Sequence, residues 1–74
     1  MTKLPRVTAR EIITVLEKKG FQLARQSGSH KIYKNAVGNR VTVPFHAQKV
    51  LHPKLLKSIL RDAEIGPDEF EGLL

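Results

Sequence analysis

Apolar residues recur first at helical spacing, then at strand spacing, then at helical spacing again. Ala9, Ile12, Ile13 and Leu16 fall on one helical face. Thr8-Ala9-Arg10-Glu11 supplies a capping box ahead of them, because Thr8 can accept from an early N–H while Glu11 reaches back to the cap. Lys18 and Lys19 complement the negative end of the helix dipole. Gly20 stops the helix in a left-handed conformation, with Phe21 folding back as the apolar contact. The pattern predicts an extended lead-in over 1–7 and a first helix over 9–19.

From Phe21 the period becomes two. Phe21 and Leu23 alternate with Gln22 and Ala24 in a first strand, and Ser27-Gly28-Ser29 signals a turn. A second strand runs from His30 to Lys34, and Asn35 to Asn39 form a hairpin loop. The third strand is Arg40-Val41-Thr42-Val43, ended by Pro44, with Val41 and Val43 facing one way. Two successive hairpins imply an antiparallel meander. After a loop over 45–51, Pro53 suits the first position of a second helix. Leu55, Leu56, Ile59, Leu60 and Ala63 form its apolar stripe. Gly66-Pro67 should break that helix, and Asp68 and Glu69 favour a short terminal one held by Phe70 and Leu73. The expected fold class is α+β: a two-layer α-β-β-β-α arrangement with a short C-terminal helix, both main helices covering one face of the sheet.

The length of 74 residues fits a single domain over 1–74. Such a domain buries only about 60% of the surface its unfolded chain exposes, so a covering partner would stabilise it. The absence of cysteine removes disulfides and thiolate metal sites. No apolar run is long enough to span a bilayer and no secretory leader is evident, which makes a cytoplasmic protein the default expectation.

Charge narrows the function further. Residues up to Arg61 hold all 13 basic side chains against two acids, Glu11 and Glu17, a net of +11. Residues 62–74 hold five acids and no base, a net of −5. A body this basic suits a polyanion, above all nucleic acid, although a solvated basic surface kept for solubility has the same composition. No helix pairs a basic face with large exposed aromatics, which argues against a membrane-surface role.

The side chains suited to proton transfer near neutral pH are His30, His46 and His52. The basic body has too few carboxylates for a two-metal nuclease, so a nuclease here should work without metal or other cofactor. His30 follows Gly28 and Ser29, where the backbone can approach a phosphate, and Arg25, Lys31 and Lys34 lie nearby in sequence. Those groups suffice for RNA transesterification: the histidine takes the 2′-OH proton, the oxygen attacks the adjacent phosphate, and cations stabilise the added charge. The opposing reading is a strand-edge histidine that hydrogen-bonds its turn. Period-two counting places His30 with Ile32 and favours that reading, unless a bulge at Gly28 reverses the face. His46 either lines a site or caps the next helix, and His52 is most simply a residue of the helix N-terminus. The three histidines match no zinc pattern.

Taken together these segments resemble the HicA toxin family of toxin–antitoxin systems over about residues 7–70. The resemblance is carried by Gly20-Phe21, by Gly28-Ser29-His30 followed by Ile32-Tyr33, and by Val41-Thr42-Val43-Pro44 with His46. The Ile59-Leu60-Arg61-Asp62-Ala63 stretch and the Asp68-Glu69-Phe70 ending also fit, while Lys54-Leu55 stands where many relatives carry Gly-Thr. The resemblance implies a fold like a double-stranded-RNA-binding domain, mRNA cleavage with His30 as the catalytic histidine, and a HicB-like antitoxin that blocks the site. Alone the toxin is expected to be monomeric; with antitoxin it would enter a larger assembly. The rival functions are a non-catalytic RNA-binding module of the same fold, which needs no histidine at the turn, and a protein-interaction domain without RNA affinity.

Overall fold

A computed structural model describes residues 4–46 and 49–74. The expected lead-in and the loop before the second helix therefore lie partly outside the described residues. The element order is α1 (Ala9–Lys18), β1 (Gln22–Ser27), β2 (His30–Lys34), β3 (Arg40–Pro44), α2 (Pro53–Ala63) and α3 (Pro67–Leu73). This is the expected α+β arrangement.

The capping box at the start of α1 is formed. Thr8 N–H donates to Glu11 Oε1 at 2.9 Å and Glu11 N–H donates to Thr8 Oγ1 at 3.3 Å. Gly20 ends the turn with φ +89°, and Phe21 N–H reaches the Leu16 carbonyl at 2.9 Å. That bond swings the Phe21 ring into the core, where it is fully buried.

The three strands form an antiparallel sheet in the order β1-β2-β3. Tyr33, Val41 and Val43 are buried on the face packed against the helices, α1 and α2 both meeting β3. β1 lies at the free edge, beyond the helices, and each of its residues is exposed. Leu23, expected to alternate inward, is 48% exposed for that reason. The irregularity in the sheet falls between Leu23 and Arg25, not at Gly28. It inserts one extra residue, so Leu23 pairs with Tyr33 but Arg25 pairs with Ile32, on the opposite face.

The segment before α1 is tied to the segment before α2. Leu51 N–H donates to the Val7 carbonyl at 2.8 Å, and Thr8 and Val50 form an isolated antiparallel bridge. α2 begins at Pro53, as its fixed φ favours, with His52 as N-cap: Nδ1 accepts from Lys54 N–H at 3.1 Å. It does not run on to Gly66. Glu64 adopts a left-handed conformation, φ +58°, and Ile65 N–H returns to the Leu60 carbonyl at 2.9 Å while its side chain is buried. Gly66-Pro67 instead opens α3. Phe70 is fully buried, Lys18 Nζ donates to the Leu73 carbonyl at 2.8 Å, and Lys19 pairs with Glu69. The basic end of α1 thus anchors the acidic terminal helix.

Candidate functional site

His30 opens β2 immediately after a two-residue turn. Ser27 and His30 are the paired residues that flank Gly28 and Ser29. Gly28 has φ +57°, and a positive φ at the first loop position is what a tight II′-type hairpin demands. Gln26 Nε2 braces the turn by donating to the Gly28 carbonyl at 3.2 Å. On the other side His30 pairs with Pro44, and Phe45 N–H donates to the Ser29 carbonyl at 2.6 Å. The backbone around His30 is therefore held from both neighbouring strands.

Strand parity then decides which groups share its face. Tyr33 is buried against the helices, so Lys31, two residues away, points to that side as well. His30, Ile32 and Lys34 point to the open face, joined by Thr42 and Arg40 across β3 and by Ser27 and Arg25 across β1. His30 does lie with Ile32, as period-two counting gives, but their face is the uncovered one, and no bulge at Gly28 is needed to expose the imidazole. Among the described residues that imidazole makes no hydrogen bond, which removes the main support for a purely turn-bracing role.

The open face is bounded on one side by α2. Between them runs a groove of about 410 Å³. The sheet contributes His30, Arg40, Thr42 and Pro44, and α2 contributes Leu55, Ser58, Ile59 and Asp62. Those helix residues are spaced as one stripe, at i, i+3, i+4 and i+7.

Of the cations singled out from sequence, Arg25 and Lys34 lie on the His30 face and are exposed. Lys31 does not join them. It is half-buried on the opposite side, its ammonium 4.0 Å from the centre of the Phe45 ring, which also has the Arg10 guanidinium at 5.9 Å. Adjacency in sequence placed Lys31 beside His30, but the pleat separates them. Gly28 and Ser29 form the turn as expected. His46 is exposed and does not cap α2. It lines a smaller cavity of about 110 Å³ that shares Pro44 and Leu55 with the His30 groove. Arg40 and Asp62 escaped the sequence reading. Arg40 was legible as the residue that alternates with Val41 opposite Lys34. Asp62 belongs to the acidic terminal stretch, yet its place in the α2 stripe brings it into the groove.

Among the described residues no three His, Asp or Glu side chains converge to hold a metal ion. Tyr33 has a pKa above its ordinary value. Burial pushes its phenol up, and the Glu17 carboxylate adds to the effect.

A family model described as the HicA toxin of bacterial toxin–antitoxin systems matches residues 9–65. The chain belongs to the HicA toxin family. The match runs from the first residue of α1 through the buried Ile65, and so includes both walls of the His30 groove. Membership of the HicA family makes this chain the toxin side of a toxin–antitoxin system, with an antitoxin as partner. No curated protein matches the chain. Among the described residues no helix is long and apolar enough to cross a membrane.

Proposed function

We propose that this HicA toxin is an endoribonuclease that cleaves mRNA in the cytoplasm without metal, and that His30 is its general base. The observation that carries the reading is the placement of His30: exposed, free of hydrogen bonds among the described residues, and set in a groove at the edge of a cationic sheet face. The imidazole takes the proton from a ribose 2′-OH. The freed oxygen attacks the adjacent phosphorus and the P–O bond to the next nucleotide breaks. The 5′-oxygen of that nucleotide leaves with a proton drawn from water, and the imidazolium returns its proton to solvent. One product ends in a 2′,3′-cyclic phosphate and the other begins with a 5′-hydroxyl. Negative charge building on the phosphate is offset by Arg25, which pairs with Ile32 on the His30 face, and Lys34 on the same face serves phosphates further along the strand. Gly28 keeps the turn beside His30 free of a side chain, so backbone can approach the phosphate, and Ser29 offers a hydroxyl. Lys31, on the far side of the sheet, is left out of this mechanism. A HicB-like antitoxin would inhibit by covering the same open face.

The test is His30→Ala. Loss of a general base typically lowers the rate by about 10²–10⁴-fold. The imidazole is exposed and braces nothing, so the variant should keep native circular dichroism and still bind RNA. Wild-type cleavage should survive EDTA, leave cyclic phosphate or 3′-phosphate ends, and spare DNA, which lacks the attacking hydroxyl. Undiminished cleavage by the variant, or 3′-hydroxyl ends, would overturn the mechanism. RNA binding by a wild-type protein that cuts nothing would leave a non-catalytic RNA-binding module.

A further inference from the structure

The groove beside His30 carries an acid that phosphate cleavage does not call for. Pro44 and Leu55 line both this groove and the His46 cavity, so they mark one end of it, and there His30 pairs with Pro44. From that end β3 runs back four residues to Arg40, roughly 13 Å at strand rise. α2 runs forward seven residues to Asp62, roughly 10 Å at helical rise. Arg40 and Asp62 therefore stand on opposite walls at the end remote from His30. Among the described residues they form no ion pair with each other; Asp62 has only Arg61, at 4.0 Å, and its side chain is 49% exposed.

A carboxylate at this point repels phosphate. What it offers an RNA is a pair of hydrogen-bond acceptors for base amino and imino groups, and the guanidinium opposite offers a fork of donors. A nucleotide whose phosphate lies at His30 can extend its base towards that end. Guanine matches both walls. Its O6 and N7 take a bidentate arginine, and its N1–H and amino group present two parallel donors to a carboxylate. Adenine has an amino group in place of O6 and lacks the N1–H. Uracil and cytosine lack the N7 edge.

We propose that Arg40 and Asp62 form a guanine-selective base subsite in the His30 groove. The inference rests on RNA occupying this groove, but not on its being cut there. It is tested by binding, in the His30→Ala protein, of short single-stranded RNAs that are all uracil or carry one guanine, adenine or cytosine. The guanine strand should bind at least about fivefold more tightly than the all-uracil strand. Asp62→Asn, added to His30→Ala, should abolish most of that preference while slightly tightening the all-uracil strand, because one repulsive charge is gone. Asp62 is exposed on a helix surface, so circular dichroism should stay native. A carboxylate acting only through its charge would give uniform tightening of all four strands, and that result overturns the proposal. Equal binding of the four strands by the His30→Ala protein overturns it too. Guanine selectivity lost with Asp62 supports the subsite even if wild-type protein proves unable to cleave RNA, so failure of the two readings can be told apart.

Discussion

Tyr33 is the chain's single tyrosine, and it sits beneath the sheet rather than at the groove. Its pKa is raised above 10.0, first by burial and then by Glu17. A phenol that ionises later in the folded state than in the unfolded one contributes stability that is intact below the unfolded value. That contribution is lost as pH climbs through the folded value. Urea unfolding at about pH 9 and about pH 11 should therefore show a loss of stability that Tyr33→Phe reduces. The same loss in both proteins would mean that other groups carry the alkaline transition. A second residue-scale feature is Glu64, the non-glycine residue held at positive φ among the described residues. The Ile65–Leu60 hydrogen bond and the burial of Ile65 offset the steric cost of that conformation, which explains why α2 ends without a glycine.

At the scale of elements, the pleat of β2 and the irregularity in β1 sort the cations. Lys31 goes to the helix side and lies over Phe45, whereas Lys34 and Arg40, paired across β2 and β3, go to the His30 side. The β1 irregularity moves Arg25 to that same side, because without the extra residue it would follow Leu23. Three single charge reversals check this sorting in a His30→Ala background. Lys34→Glu and Arg25→Glu should each flatten the salt dependence of single-strand RNA affinity, by a slope of roughly 0.7 for each phosphate no longer neutralised. Lys31→Glu should leave the slope unchanged and instead lower stability by about 0.5–1 kcal/mol, because the cation over the Phe45 ring is gone. A flattened slope with Lys31→Glu alone would place the RNA on the helix-covered side of the sheet, against the proposed site.

The whole molecule divides its charge between two regions, but less cleanly than the sequence suggests. α3 packs on α1 through Phe70, the Lys18–Leu73 hydrogen bond and the Lys19–Glu69 pair, and none of its residues lines the His30 groove. Asp62 opens the acidic stretch over 62–74, yet it lines the groove. The remaining open face presents Arg25, Lys34 and Arg40, a surface suited to an acidic inhibitor. Under the proposed function RNA and antitoxin compete for that face. Combined reversal of these three residues to glutamate should weaken both partners, with antitoxin association slowed most at low salt. Neutralising Asp68 and Glu71 should change neither. Antitoxin binding that survives the triple reversal, measured by surface plasmon resonance, would put the antitoxin on another surface.

Local physics was enough to read the elements from the sequence. The Thr8–Glu11 capping box, the left-handed Gly20, the Gly28 turn and the Pro53 start each depend on residues a few positions apart, and each forms as read. Family membership was equally legible, because the order of the Gly-Ser-His, Val-Pro-x-His and terminal-helix segments is itself a sequence property. Tertiary structure decided the composition of the site. Which face of β2 is covered depends on where α1 and α2 pack, so the sequence could pair His30 with Ile32 but not say that their side is the open one. Leu23 is exposed because β1 projects past the helices, and Lys31 leaves the site because alternate side chains in a strand point oppositely. Arg40 and Asp62 are 22 positions apart in sequence, and they share a groove only because α2 lies along β3.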